Sequence, residues 1–86
     1  MNTTIINILG FIAAILTTSG FIPQLLKIIK TKSVKDISFE MFAMFLAGVT
    51  CWFIYGLLIK SPPVIAANLA SMIMNITIII YKIKYD

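Results

Sequence analysis

The sequence predicts an all-α membrane protein: a three-transmembrane-helix bundle, in one domain, that pairs with a second copy as a parallel homodimer. Three observations carry this. Of 86 residues 60% are hydrophobic and only 12% charged, about half the charged share of an ordinary soluble domain. Charges are absent from residues 1–26, from Met41–Ile59 and from Ser61–Tyr81, and at ~1.5 Å rise per residue each stretch crosses a ~30 Å hydrocarbon layer. The seven lysines, finally, fall almost entirely on one side of such a three-span chain.

The expected helices cover about residues 4–29, 38–59 and 63–83. Met1 to Gln24 has no basic side chain and is too long for a cleaved secretory signal, so the first span is read as retained. Within it Pro23 interrupts the hydrogen-bond ladder, with Gly20 three residues earlier, which makes either a hinge or a static bend. The polar loop KTKSVKDIS, Lys30–Ser38, follows; Ser38 is a candidate N-cap and Glu40 belongs to the first turn of the second span. Lys60 to Pro63 is a tight helix hairpin. Pro62 and Pro63 cannot continue the second helix but suit the first turn of the third.

Lys27, Lys30, Lys32, Lys35, Lys82 and Lys84 share one side and Lys60 lies alone on the other. The positive-inside rule then places the first loop and the C-terminus in the cytoplasm and the N-terminus outside, in a multi-pass protein of the cell's plasma membrane. The same bias opposes dual-topology insertion, so associating copies point the same way. Lysines set between apolar runs share no folded surface for nucleic acid. A lone cysteine, Cys51, allows no internal disulfide, and with no histidine there is no metal-ligand cluster and no His-based catalytic arrangement. No nucleophile has a base beside it, so no enzyme is expected, and no cofactor.

Ten polar residues lie inside the spans, among them Gln24, Thr50, Asn68, Ser71, Asn75 and Thr77. Each wants a partner away from lipid. Three helices enclose no passage for a solute, so any pathway needs two chains. On the second span Met41, Phe45, Gly48, Trp52 and Tyr55 recur at spacings of four, three, four and three, one continuous face. Spacing alone fits a packing seam as well as a solute face, with Gly48 allowing close helix approach. Depth separates the two: Trp52 lies roughly 10 Å and Asn68 roughly 8 Å below the same outer edge. Asn68 heads a polar strip with Ser71 and Asn75, which fits interhelical hydrogen-bonding glue or a ligand contact. An aromatic face beside an amide suits a sugar, whose C–H faces lie on indole and whose hydroxyls both donate and accept. No Asp, Glu, Lys or His occupies a span core, so passive, bidirectional transport is expected in place of proton coupling. The rival reading is a small structural or regulatory membrane subunit with no transport of its own.

Four segments, TTSGFIPQ at 17–24, TKSVKDIS at 31–38, MFLAGVTCWFIYG at 44–56 and AAN at 66–68, together resemble the bacterial SemiSWEET sugar transporters of the SWEET and PQ-loop family, over almost the whole chain. The resemblance implies a parallel homodimer with span three between spans one and two and sugar bound on the shared two-fold axis. By position it assigns sugar binding to Trp52 and Asn68, an outer gate to Tyr55, an inner gate to Met41 and Phe45 and a hinge to Pro23 and Gln24. It further implies alternating access by rocking of the two bundles. The chain departs from the family pattern at Ile59 and Ser61, where relatives often carry an Arg and an Asp, and at Ser19-Gly20.

Overall fold

A computed structural model describes residues 3–86. Its elements are α1 (Thr3–Thr31), α2 (Phe39–Leu58) and α3 (Pro62–Tyr85), with no strand among the described residues. All three are long and apolar enough to cross a membrane, and the chain is an all-α membrane protein. Almost nothing in it is buried: the described apolar core is Val34, Val49, Met74 and Ile78. A soluble chain would hide its apolar side chains, whereas here they stand ready for lipid or for another copy.

Helix ends follow local chemistry. Ser38 is the N-cap of α2, its Oγ accepting from the Met41 N–H at 3.1 Å, with Glu40 in the first turn. At the other end Ser61 N–H donates to the Gly56 carbonyl at 3.0 Å and Lys60 N–H to the Leu57 carbonyl at 3.2 Å. This is the paired closure of a Schellman motif. Its left-handed residue is Lys60, with φ 57, where glycine is the usual occupant. Pro62 and Pro63 then open α3 at its first two positions.

In space α3 lies between the other two helices; it packs against α1 and against α2, which do not pack on each other. The 47 × 22 × 14 Å envelope is accordingly a shallow trough, with α3 as its floor and α1 and α2 as its rims. Two glycines seat the floor. A Cβ on Gly10 of α1 would come within 2.7 Å of the Pro63 Cβ, and one on Gly56 of α2 within 2.8 Å of the Val64 Cγ1 and 3.2 Å of the Ile65 N. The start of α3 is thus gripped from both sides at backbone range.

Each helix shows α3 or its neighbours a distinct stripe. On α1 the half-buried residues are Asn7, Gly10, Ala14, Thr18, Phe21, Leu25 and Ile28, alternating steps of three and four that make a single seam. On α2 the seam is Phe42, Leu46, Val49, Phe53 and Gly56. On α3 the exposed stripe is Leu69, Ile73, Ile76, Ile80 and Ile83, and the polar strip Asn68, Ser71 and Asn75 lies on the opposite side, away from it.

Candidate functional site

The stripe Met41, Phe45, Gly48, Trp52 and Tyr55 is exposed along its whole length. It stands one residue before the seam that meets α3, hence about 100° round the helix. Gly48 therefore makes no close helix approach in this chain: a Cβ there would meet nothing within 4 Å. The missing side chain instead opens a depression of about 360 Å³ bounded by Gly48, Cys51, Trp52 and Tyr55. Trp52 is 57% exposed, and its ring stands edge-on to that of Tyr55, centroids 5.2 Å apart at 89°. The two rings meet edge to face, and Trp52 remains more than half exposed.

Nearer the lysine-rich end the same stripe turns into the trough. Met41 and Phe45, with Phe42, meet Phe21 and Gln24 of α1 around a cavity of about 290 Å³. Three residues singled out in the sequence, Gln24, Met41 and Phe45, are thereby brought together, and Phe21 joins them without having been anticipated. Its signal was present: Phe21 is three residues before Gln24 and so on the same side of α1. Cys51 was likewise overlooked as a wall of the Trp52 depression. Pro23 is exposed, and α1 continues as a helix through it although its ring nitrogen has no proton for the Ser19 carbonyl.

Asn68 does not line the Trp52 depression. It is nonetheless level with it: Gly56 touches Val64, α2 and α3 run antiparallel, and Trp52 and Asn68 each lie one turn deeper than that contact. The side chain is half-buried, its Nδ2 donating to the Val64 carbonyl at 2.8 Å. Asn75 does the same toward Ser71 at 2.7 Å, as do the hydroxyls of Thr50 toward Leu46 and Thr77 toward Ile73. Each of these groups donates to its own helix one turn back, so the hydrogen bonds Asn68 and Asn75 donate do not tie α3 to another helix of this chain.

No charge enters the site. The one ion pair among the described residues, Lys82 to Asp86 at 2.7 Å, is at the lysine-rich end, and the Ile59–Ser61 hairpin is closed by the backbone bonds described above. No group of His, Cys, Asp or Glu among the described residues could hold a metal. What remains is an open, uncharged, aromatic-walled depression formed by one helix, an amide at equal depth on the next, and a second, greasier cavity below.

Comparison with known proteins gives this arrangement its context. The model of the PQ loop repeat matches residues 5–65. A relative named sugar transporter SemiSWEET from Leptospira biflexa is 43% identical over 77 residues, covering 90% of this chain and 91% of that one. Another of the same name, from Bradyrhizobium diazoefficiens, is 40% identical over 99% of both chains. Among solved structures, a SemiSWEET in the inward-open conformation superposes with a TM-score of 0.90 at 32% identity, covering 95% of this chain and 88% of that one. With fold, length and motif shared from end to end, the chain belongs to the PQ-loop repeat family, among its SemiSWEET members.

Proposed function

We propose that this chain is a facilitative, bidirectional sugar uniporter that works by alternating access at the interface of a parallel homodimer. The observation that carries the reading is the half-built site. Trp52 and Tyr55, each about half exposed, bound a depression whose walls all come from α2, with the half-buried Asn68 level with it. A second copy related by a two-fold axis along the membrane normal would set a second Trp52 and Asn68 opposite the first and close the volume. The relatives named as sugar transporters support carbohydrate as the solute.

Residue chemistry fits that solute. The exposed indole face takes the C–H face of a pyranose. Asn68 gives one N–H to Val64, which leaves its Oδ1 to accept from a sugar hydroxyl and its second N–H to donate to one. Dispersion and a few exchanged hydrogen bonds give weak binding, which suits rapid release. Tyr55 lies one turn beyond Trp52 toward the hairpin and acts as the outer gate; Met41 and Phe45 act as the inner one. When the two copies tilt about the Pro23-Gln24 segment, one end of the trough narrows as the other widens. Orientation follows the lysines: the rich end lies in the cytoplasm, in the plasma membrane, with the N-terminus outside.

Uptake of labelled glucose and of labelled sucrose into protein-only vesicles tests the function. Equilibration of at least one sugar down its gradient is expected, with no accumulation when a pH gradient is imposed, because no Asp, Glu, Lys or His sits at depth to carry a proton. No uptake of either would favour a subunit role, and accumulation above equilibrium would contradict passive transport.

A further inference from the structure

The lysine-rich end carries a feature that sugar passage does not use. Lys32 follows α1 in a left-handed conformation, φ 55, its N–H donating to the Ile28 carbonyl at 2.8 Å, and this turns the chain out of the helix. Two residues on, Val34 is only 2% exposed, and its carbonyl accepts from the Lys82 Nζ at 3.0 Å. The loop is therefore fastened to the last turns of α3, and the Lys32 Nζ comes to 5.3 Å from the centre of the Tyr85 ring. The Lys84 Nζ stands 5.3 Å from that same ring. Two ammonium groups from different helix ends thus lie within about 11 Å of one another, on the order of a Debye length. The ring attracts both but neutralises neither. Asp86 is engaged by Lys82, and Asp36 and Glu40 make no ion pair with either lysine.

We infer that Lys32, Lys84 and Tyr85 form a binding site for the phosphate of an anionic phospholipid in the leaflet at this end. Depth selects a lipid over a free anion. The 24 residues of α3 extend ~36 Å, beyond the ~30 Å hydrocarbon thickness, which brings Tyr85 to the headgroup layer. Tyr81 packs one turn beneath, ring centroids 5.4 Å apart. Ile80 and Ile83, both exposed, lie toward the side of α3 that carries Lys84 and offer acyl chains an apolar strip there. A phosphodiester beside the Tyr85 ring is drawn by both ammonium groups, while its tails follow α3 into the bilayer. The site is independent of the sugar reading and stands whether or not the chain transports.

Spin-labelled phosphatidylglycerol and phosphatidylcholine, each at trace level in phosphatidylcholine vesicles containing the full chain at physiological ionic strength, report relative association by electron paramagnetic resonance. The natural chain is expected to favour the anionic lipid about fivefold or more, the effect of roughly one well-placed lysine at a membrane surface. The pair Lys32→Gln and Lys84→Gln should lose most of that preference, and the pair Lys32→Arg and Lys84→Arg should retain it. The pair Lys27→Gln and Lys30→Gln, which removes the same charge away from the ring, should leave most of it intact, and millimolar inorganic phosphate should not compete. An unchanged preference in the Lys32/Lys84 glutamine pair would overturn the site. So would an equal loss in the Lys27/Lys30 pair, which means diffuse charge, or displacement by inorganic phosphate, which means a free-anion site.

Discussion

At the scale of single residues, the structure separates side chains that hold the fold from side chains that leave it unaffected. Trp52 is 57% exposed and outside the buried core, so Trp52→Ala should fold and insert normally while its sugar uptake falls by more than about tenfold, one stacking surface being worth on the order of 1.4 kcal/mol or more in the bound state. Vesicle uptake normalised to inserted protein reads this. Asn75 is the opposite case. It is 1% exposed, and its Oδ1 is buried without a hydrogen-bond partner, an arrangement that costs about 1–3 kcal/mol. Asn75→Leu, of similar size, should raise the melting temperature in detergent, and a lower one would mean that the amide has a partner in the assembled protein. Depth and resemblance singled out Asn68 from the strip, but nothing in the sequence distinguished its burial from that of Asn75. That Asn75 is fully enclosed and Asn68 half-exposed depends on how α1 and α2 each pack on α3, which no spacing reveals.

At the scale of elements, the helix ends and glycine contacts make sharper claims than the spans. Ser38→Ala removes the acceptor of the Met41 N–H and should destabilise α2 by about 1 kcal/mol. Lys60→Gly relieves a left-handed residue and should stabilise the hairpin by about 1 kcal/mol. Gly56→Ala should be worse than Gly10→Ala, because its new methyl meets the Ile65 backbone as well as the Val64 side chain, whereas Pro63 alone faces Gly10. Thermal unfolding in one detergent ranks all four. The spans, the Ser38 cap and the proline start of α3 were legible because they rest on charge-free runs and on residues with one local role. The seams were not. Every helix is apolar on most of its circumference, so periodicity could not tell which stripe of α2 meets α3 and left the Gly48 stripe open as packing seam or solute face, whereas Gly56 and Gly10 are the glycines in close contact. The position of α3 between its neighbours came from family resemblance, not from the pattern of any helix.

At the scale of the whole molecule, a trough with exposed rims and almost no core leaves its apolar surface to lipid or to a second copy. In the proposed dimer, the lysine bias lets two such troughs meet only in the same orientation, and their uncharged aromatic and amide groups suit a neutral polyhydroxylated solute better than an ion or an amino acid. Family membership and three-helix architecture follow from the comparisons and the fold. The dimer, the gates and the hinge at Pro23 are what the account adds to them. A carrier that must reorient its site between each passage differs from a pore in how it responds to solute on the far side. The most direct measurement is therefore exchange of labelled sugar in protein-only vesicles preloaded with the same unlabelled sugar. The account predicts influx that saturates with concentration, is accelerated by the internal sugar, and disappears in a Trp52→Ala protein that still elutes as a dimer. Linear, unaccelerated flux, or full exchange by that variant, would contradict it.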